Sequence, residues 1–485
     1  MVLRDVKMSR RTFLRLILGN ETDLSEMQES FDRFTGSCAG ALLADAVQQK
    51  ETNMTYANLN TKDLTALKVQ LEDDLSKYKA RNLSLNMARG KPSAEQLDLS
   101  MDMLKLLNEP EECFAESGLD CRNYGELEGI DEARRLMAIM LDDDMENVIV
   151  GGNSSLTLMY SSLARFYDFG ARGSKPWHRY DKIKWICPVP GYDRHFAISE
   201  SFGFENIPVP MNEDGPDMDE VEHIVSSDAC VKGIWCVPKY SNPGGVTYSD
   251  EVVYRLGHLR CAAHDFRIFW DNAYCVHHLY DDPAEQDQVV DIAEMCKDSG
   301  NPNRYVKFAS TSKVTIAGAG IAALASSPDN IAEIKERMSI STIGGDKINQ
   351  LRHARFLTDA DALAEHMKKH AAILRPKFEL VQKKLSEGLD GVGGCSWSKP
   401  RGGYFVMFNA PHGTAKRIVQ LAKQTGVVLT DAGATWPGGN DPYDSDIRIA
   451  PSLPPIEELD VALDVFCGCV KLAYAESLLI ERLTH

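Results

Sequence analysis

Between roughly residues 145 and 330 the chain alternates short apolar, β-branched or aromatic runs with longer stretches of helical periodicity. The runs read "NVIVGG", "KIKWICPVP", "VKGIWCVP", "FRIFWD", "RYVKFAS" and "GIAALASS". Helical patterns such as "SLTLMYSSLARFYDFG" and "SDEVVYRLGHLRCAAHDF" separate most of them. Strands alternating with helices predict an α/β fold whose largely parallel sheet is covered on both faces. From about Asp359 the pattern becomes one long helix, "DALAEHMKKHAAILRPKFELVQKKLSEGL". A short strand region at "GGYFVMFNA", another helix, "DIRIAPS" and a closing helix follow. This second, smaller α/β layer is joined by the chain from Met54 to about Lys105. The expected division is a small domain over 54–105 and 376–485 and a large domain over 106–375.

Each strand of the large domain runs into a polar turn. "VIV" leads to Gly151-Gly152-Asn153-Ser154-Ser155, "WICPV" to Pro190-Gly191-Tyr192-Asp193-Arg194-His195, and "IWCVPKY" to Ser241-Asn242-Pro243-Gly244-Gly245. "RIFW" leads to Asp271-Asn272-Ala273-Tyr274 and "VKFA" to Ser310-Thr311-Ser312-Lys313. In a parallel sheet these positions share one edge, the carboxyl ends, where open α/β folds bind ligands. Any one of them alone is an ordinary turn; five along one edge describe a binding site.

The chemistry of those turns is specific. "GGNSSLTLMY" sets free N–H groups and a helix dipole against a strand end, an anion site suited to phosphate. It is neither GxxxxGK[ST] nor GxGxxG, which disfavours nucleoside phosphates. Asp271 ends a very apolar strand, where a carboxylate needs a cationic partner. Tyr274 is spaced to send its hydroxyl the same way, Asn242 stands before a proline expected to aim its amide, and Tyr192 offers a face to a flat ring. Lys313 stands alone among small residues. A phosphate site, a ring-stacking aromatic, a buried acid and such a lysine together describe a receptor for pyridoxal phosphate. The lysine must be unprotonated part of the time, which a partly dry, cationic pocket favours.

Composition narrows the setting. The 485 residues suggest two or three domains, and 44% hydrophobic with 26% charged residues is ordinary for a soluble globular protein. A net charge of −18 argues against a nucleic-acid partner. The 12 cysteines form no CxxC pair, and several lie in apolar runs, which reads as reduced thiols in a cytoplasmic protein. "CGC" at Cys467–Cys469 has no accompanying cluster to make a metal site. "SRRTFLR", Ser9–Arg15, looks like a twin-arginine export signal but lacks the apolar region such a signal needs. No segment reaches the length of a membrane span. Residues 1–53 are expected to be a poorly ordered extension, with Met54 as a natural start.

Over roughly residues 56–480 the chain resembles the fold-type I pyridoxal-phosphate aminotransferases of class I, and among them the aspartate aminotransferase subgroup Ic. The resemblance rests on "ARGKPSAEQLDLS", "RNYGELEGIDEAR", "NPGG", "DNAY", "STSKVTIAGAG", "GGDKINQLRH" and "RGGYF", in that order. It implies a seven-stranded-type sheet in the large domain and transfer of the amino group of L-aspartate or L-glutamate to a 2-oxo acid. Lys313 would bond the cofactor aldehyde and then move the proton, with Asp271 at the ring nitrogen and His195 behind it. Asn242 and Tyr274 would bond the ring hydroxyl oxygen, Tyr192 would stack on the ring, and Ser154, Ser155, Ser310 and Ser312 would hold the phosphate. Tyr124 would reach the phosphate of a neighbouring subunit, implying a homodimer with active sites near its interface. Arg448 would grip the substrate α-carboxylate, with Gly90 nearby.

Many members carry a phosphate-binding arginine eight residues after the lysine; here position 321 is isoleucine. Lys347 is the substitute expected. A dicarboxylic substrate needs a further cation, for which Arg89, Lys91, Lys347 and Arg352 are open alternatives. The same machinery would serve a β-lyase or a transaminase for other amino acids. An amino-acid-sensing regulator would carry a DNA-binding module ahead of the fold, and residues 1–53 show no helix-turn-helix pair.

Overall fold

In the computed structural model residues 55–484 are described; the extension over 1–53 and its "SRRTFLR" stretch lie outside them. Residues 55–59 hold a single 3₁₀ turn, Tyr56–Asn58. From Asn60 onward the chain opens with α1 (Thr61–Ala80), β1 (Leu85–Asn86), α2 (Ala94–Asp98) and α3 (Asp131–Leu141). Next come β2 (Val148–Val150), α4 (Ser155–Phe169), β3 (Lys184–Val189), α5 (Asp193–Ser201), β4 (Glu205–Asn212), β5 (Gly215–Pro216) and α6 (Met218–Ser227). The sheet continues through β6 (Val231–Cys236), α7 (Asp250–Gly257), β7 (Arg267–Asp271), α8 (Ile292–Asp298), β8 (Tyr305–Ser310), β9 (Ala322–Ala325) and α9 (Pro328–Ser341). Then follow α10 (Lys347–Phe356), α11 (Ala360–Gly388), β10 (Ser396–Trp397), β11 (Val406–Asn409), α12 (Ala415–Gln424), β12 (Val427–Val428), β13 (Asp446–Ile449) and α13 (Ile456–Thr484).

The main sheet has the order β2-β9-β8-β7-β6-β3-β4-β5. Strands β8, β7, β6, β3 and β4 are mutually parallel. Strand β9 is antiparallel to both β8 and β2, so β2 again points with the central strands. The seven-stranded sheet expected from the sequence is present, extended by the two-residue β5. Every residue of β6 and β7 is buried, the pattern of strands covered on both faces. One apolar cluster around Trp185, Trp235 and Phe269 packs on α4 and α5; another around Ile234, Ile268 and Val253 packs on α6, α7 and α8.

A smaller antiparallel sheet, β10-β11-β13, and a parallel pair, β1-β12, form the second layer. Helix α13 packs on α1, α11 and α12 there. The domain boundary expected at 375/376 falls inside α11, at the turn carrying Pro376. No helix among the described residues is long and apolar enough to cross a membrane. The consequence for function is directional. Strands β2, β3, β6, β7 and β8 deliver their following turns to the same edge of the sheet, facing the second layer.

Candidate active site

A cavity of about 780 Å³ opens at that edge. Its lining includes Lys313, Asp271, Tyr274, Asn242, Tyr192, Ser154, Ser155, Ser310, Ser312, Gly90 and Arg448, drawn from all five strand ends and from the second layer. Four residues singled out from the sequence stand apart from the lining: His195 and Tyr124, and the candidate cations Lys347 and Arg352. His195 lies behind Asp271, and Tyr124 is 80% exposed.

Asp271 is the last residue of β7, and its side chain is almost wholly buried. His195 Nε2 donates to Oδ2 at 3.0 Å, and the imidazole is itself stacked on Trp235 of β6, ring centroids 4.6 Å apart. Oδ1 is buried with no hydrogen-bond partner. A buried carboxylate with one oxygen satisfied and the other without a partner, at the edge of a cavity, calls for a cationic N–H from a ligand.

Lys313 stands in the turn after β8, its Nζ 4.9 Å from the centre of the Tyr274 ring. Desolvation lowers its pKa below the ordinary lysine value, and the charge of Asp271 opposes that shift. Burial likewise holds the Tyr274 phenol well above its usual value and pushes Tyr192 up to about 12. Both phenols are therefore donors at neutral pH. The Asn242–Pro243 peptide is cis.

Arg448, on the fully buried β13, is aimed by three acceptors. Nη1 donates to Asn242 Oδ1 at 3.1 Å and to Asp193 Oδ1 at 3.4 Å, and Nη2 to Thr430 Oγ1 at 3.4 Å. The guanidinium lies 4.8 Å over the Phe405 ring, and Nε is buried without a partner. Phe405 comes this close to the chain at residue 90 only because that residue has no side chain: a Cβ on Gly90 would stand 2.3 Å from the Phe405 ring tip.

At the opposite side Ser154 caps α4 without spending its hydroxyl on the helix. Ser310 Oγ donates to Ser312 Oγ at 3.1 Å, and Ser312 Oγ to the Asn153 carbonyl at 3.3 Å. The first turn of a 15-residue helix beside four hydroxyls is an anion seat. Ile321 is in the apolar core. Lys347, expected as a substitute cation, is buried elsewhere, its Nζ donating to the Gly125 carbonyl at 3.0 Å. Neither Lys347 nor Arg352 lines the cavity, whereas exposed Arg89, Lys91 and Arg194 do. The sequence alone assigns no role to Asp193, Arg194, Thr430 or Phe405. Asp193 and Arg194 sit inside the "PGYDRH" turn and Phe405 ends "RGGYF", where a role could have been read; Thr430 carries no local signal.

A family model described as aspartate amino-transferase matches residues 59–482. An aspartate aminotransferase of Corynebacterium glutamicum is 46% identical, over 87% of this chain and 98% of its own. The solved structure of an aspartate transaminase from Corynebacterium glutamicum superposes with a TM-score of 0.84 at 44% identity, covering 87% of this chain and 99% of that one. An α-aminoadipate aminotransferase from Thermus thermophilus, solved with N-(5'-phosphopyridoxyl)-L-leucine, shares the fold at 18% identity and a TM-score of 0.66, covering 83% of this chain and 95% of its own. With the family match spanning almost the whole described chain, and two relatives well above the twilight of similarity, the chain belongs to the aspartate amino-transferase family.

Proposed function

We propose that the protein is a pyridoxal-phosphate-dependent aminotransferase that moves the amino group of L-aspartate or L-glutamate to a 2-oxo acid in two half-reactions. The observation that carries the reading is the unpartnered Asp271 Oδ1 in a cavity also lined by Lys313 and Arg448. The residues fit the cofactor at three points. A protonated ring nitrogen completes Asp271, a phosphate suits the α4 N-terminus with Ser154, Ser155, Ser310 and Ser312, and a planar ring suits the Tyr192 face. The chain offers no cation at residue 321, so helix dipole and hydroxyls carry the phosphate.

When bound, pyridoxal phosphate supplies an aldehyde that captures the amino group and a ring that draws electron density from the substrate Cα. Asp271 holds the proton on the ring nitrogen, and His195 keeps Asp271 in place from behind. Asn242 Oδ1 is occupied by Arg448, which leaves its amide N–H free to donate to the ring hydroxyl oxygen beside Tyr274. Arg448 uses its remaining N–H groups on the α-carboxylate, a bidentate fit that orients Cα toward Lys313. Lys313 Nζ takes the Cα proton, a role its desolvation serves. Among the exposed cavity cations Arg89, Lys91 and Arg194, one receives the distal carboxylate of a dicarboxylic substrate. The exposed Tyr124 suits a reach into the neighbouring site of a homodimer, in a cytoplasmic enzyme.

An absorbance spectrum tests the reading. A visible band on the purified protein that bleaches with L-aspartate in the absence of an acceptor supports cofactor and substrate together. Bleaching with a different amino acid only would replace the substrate, and no band after incubation with pyridoxal phosphate would overturn the proposal.

A further inference from the structure

Lys313 lies in a stretch of backbone with no sheet partner. Between the end of β8 at Ser310 and the start of β9 at Ala322 the chain turns through residues 311–315, where the Val314 and Thr315 N–H groups both donate to the Thr311 carbonyl at 2.9 Å. That leaves the Lys313 and Val314 carbonyls to be satisfied inside the protein, while the Thr311 hydroxyl already accepts from the Ile321 N–H at 2.9 Å and lies 3.1 Å from that of Thr315.

Side chains from distant parts of the chain meet them. His277 Nε2 and the Tyr404 hydroxyl donate to the Lys313 carbonyl at 3.3 and 3.5 Å. His366 Nε2, on α11, donates to the Val314 carbonyl at 2.7 Å. His353 Nε2, on α10, sits 2.9 Å from the Thr315 hydroxyl and 3.2 Å from that of Thr311. These groups are themselves tied together. Gln96 Nε2, on α2, donates to the Tyr404 hydroxyl at 2.9 Å and to His370 Nδ1 at 3.1 Å, and the His370 ring packs edge-on against that of His366, centroids 4.9 Å apart. A carbonyl only accepts, which places the proton of His277 and of His366 on Nε2. The same rule places the proton of His353 on Nδ1, donating to the Asn349 carbonyl at 2.8 Å, so its Nε2 accepts from a threonine hydroxyl, that of Thr315 being the nearer at 2.9 Å.

All six side chains are at most 4% exposed, and burial lowers the pKa of each of the four histidines. A lysine or arginine would satisfy a carbonyl more strongly. It would also set a fixed positive charge beside an amine that has to be neutral to take a proton. Every donor touching this turn is uncharged instead, and the Lys313 carbonyl receives two of them where one would satisfy it.

We propose that Gln96, His277, His353, His366, His370 and Tyr404 form a neutral scaffold that locks the Lys313 backbone and thereby positions its amino group for proton transfer. The proposal rests on the role given to Lys313 above. These are positioning residues: none lines the cavity.

The test uses the holoenzyme with Tyr404→Phe, His277→Leu and His277→Gln. Three quantities are read: the pH titration of the visible cofactor band, kcat and KM for L-aspartate, and amide hydrogen exchange over residues 311–315 in the cofactor-free protein. Tyr404→Phe and His277→Leu are expected to move the band's titration midpoint by about half a pH unit or more. They should lower kcat roughly tenfold with KM little changed, and speed exchange at 311–315. His277→Gln keeps an N–H near the Nε2 position and is expected to restore most of all three. A lowered melting temperature with the midpoint, kcat and exchange at wild-type values overturns the scaffold and leaves the side chains a purely structural role. Tyr404→Phe loses a single hydroxyl and decides the matter should His277→Leu not fold. A wild type without a visible band is a failure of the cofactor reading, and the scaffold's role falls with it; a normal wild-type band with unmoved variants is a failure of the scaffold alone.

Discussion

Gly90→Ala is the substitution whose effect the structure fixes most closely. The new Cβ would stand 2.3 Å from Cζ and 2.6 Å from Cε1 of Phe405, against the 3.4 Å at which ordinary contact begins. The ring tip has to retreat by about 1 Å, the difference between 3.4 and 2.3 Å. Ring tips can usually give, but this one moves only by disturbing two groups of the site. Phe405 is 5% exposed, stands edge-on to Tyr274 and carries the Arg448 guanidinium at 4.8 Å. Overpacking of this kind costs about 1–3 kcal/mol in stability. The larger consequence is transmitted to Arg448, whose hold on the α-carboxylate orients the substrate. A displacement of about 1 Å at such a positioning group lowers kcat/KM by on the order of a hundredfold. The assay is the single-turnover half-reaction with L-aspartate, followed by bleaching of the cofactor band, with the melting temperature measured alongside. The double variant Gly90→Ala/Phe405→Leu shortens the obstructing side chain and should regain part of the loss. Wild-type kcat/KM in Gly90→Ala, or a double variant no better than the single one, would refute the chain of contact from residue 90 to Arg448.

Three further outcomes follow from the same geometry. Asp271→Asn removes the charge facing the ring nitrogen; a pair about 3 Å apart at an effective dielectric near 20 is worth about 5 kcal/mol. A loss of at least roughly a hundredfold in kcat is expected with the cofactor band still present, and a loss under about tenfold contradicts the assignment. His353 has its pKa lowered from 6.5 to about 4, chiefly by burial. The unfolded chain then binds a proton that the folded chain does not, so stability falls as the pH drops from about 6.5 towards about 4, by roughly 2 kcal/mol at about pH 5. The gap between urea midpoints at neutral pH and at about pH 5 should narrow in His353→Gln, the other buried histidines keeping the rest, and an unchanged gap rejects that source. Of Arg89→Gln, Lys91→Gln and Arg194→Gln, one should raise KM for L-aspartate about tenfold or more while sparing L-alanine, the loss of one charged hydrogen bond; uniform effects on both substrates in all three would remove the distal site from this chain.

The parts of the fold that could be read from sequence are those whose burial is symmetrical. Strands β3, β6, β7 and β8 are covered on both faces, so they appear as continuous apolar runs that composition alone picks out. Strand β4, "ENIPVPMN", escaped because Pro208 and Pro210 remove ladder donors and only Val209 is buried. Its place outside β3, next to the two-residue β5, is where such prolines are tolerated. The two-residue strands β1, β5, β10 and β12 carry too few positions for any period to show. Helix α11 was legible across 29 residues, Pro376 included, because its apolar stripe outlasts the local interruption.

The same distinction governs the site. Residues at a strand end or in the turn after it, such as Asp271, Asn242 and Lys313, are placed by the strand, and a strand is a local pattern. A partner is not local. Arg448 depends on Asn242, Asp193 and Thr430, and Thr430 becomes its neighbour only because β12 pairs with β1 and brings "GVVLT" to the cavity. Lys347 shows the converse. In "GGDKINQLRH" it reads as a substitute cation for the phosphate, yet the fold turns it onto the Gly125 carbonyl, beside the exposed Tyr124. A lysine's positive charge is written in the sequence; which acceptor takes it is decided by contacts between segments hundreds of residues apart. The anion seat is therefore legible as a helix N-terminus with serines, while the means of balancing a phosphate without an arginine at 321 is not. Only the fold shows that Lys347 is already engaged and that the hydroxyls of Ser154, Ser155, Ser310 and Ser312 line the cavity together.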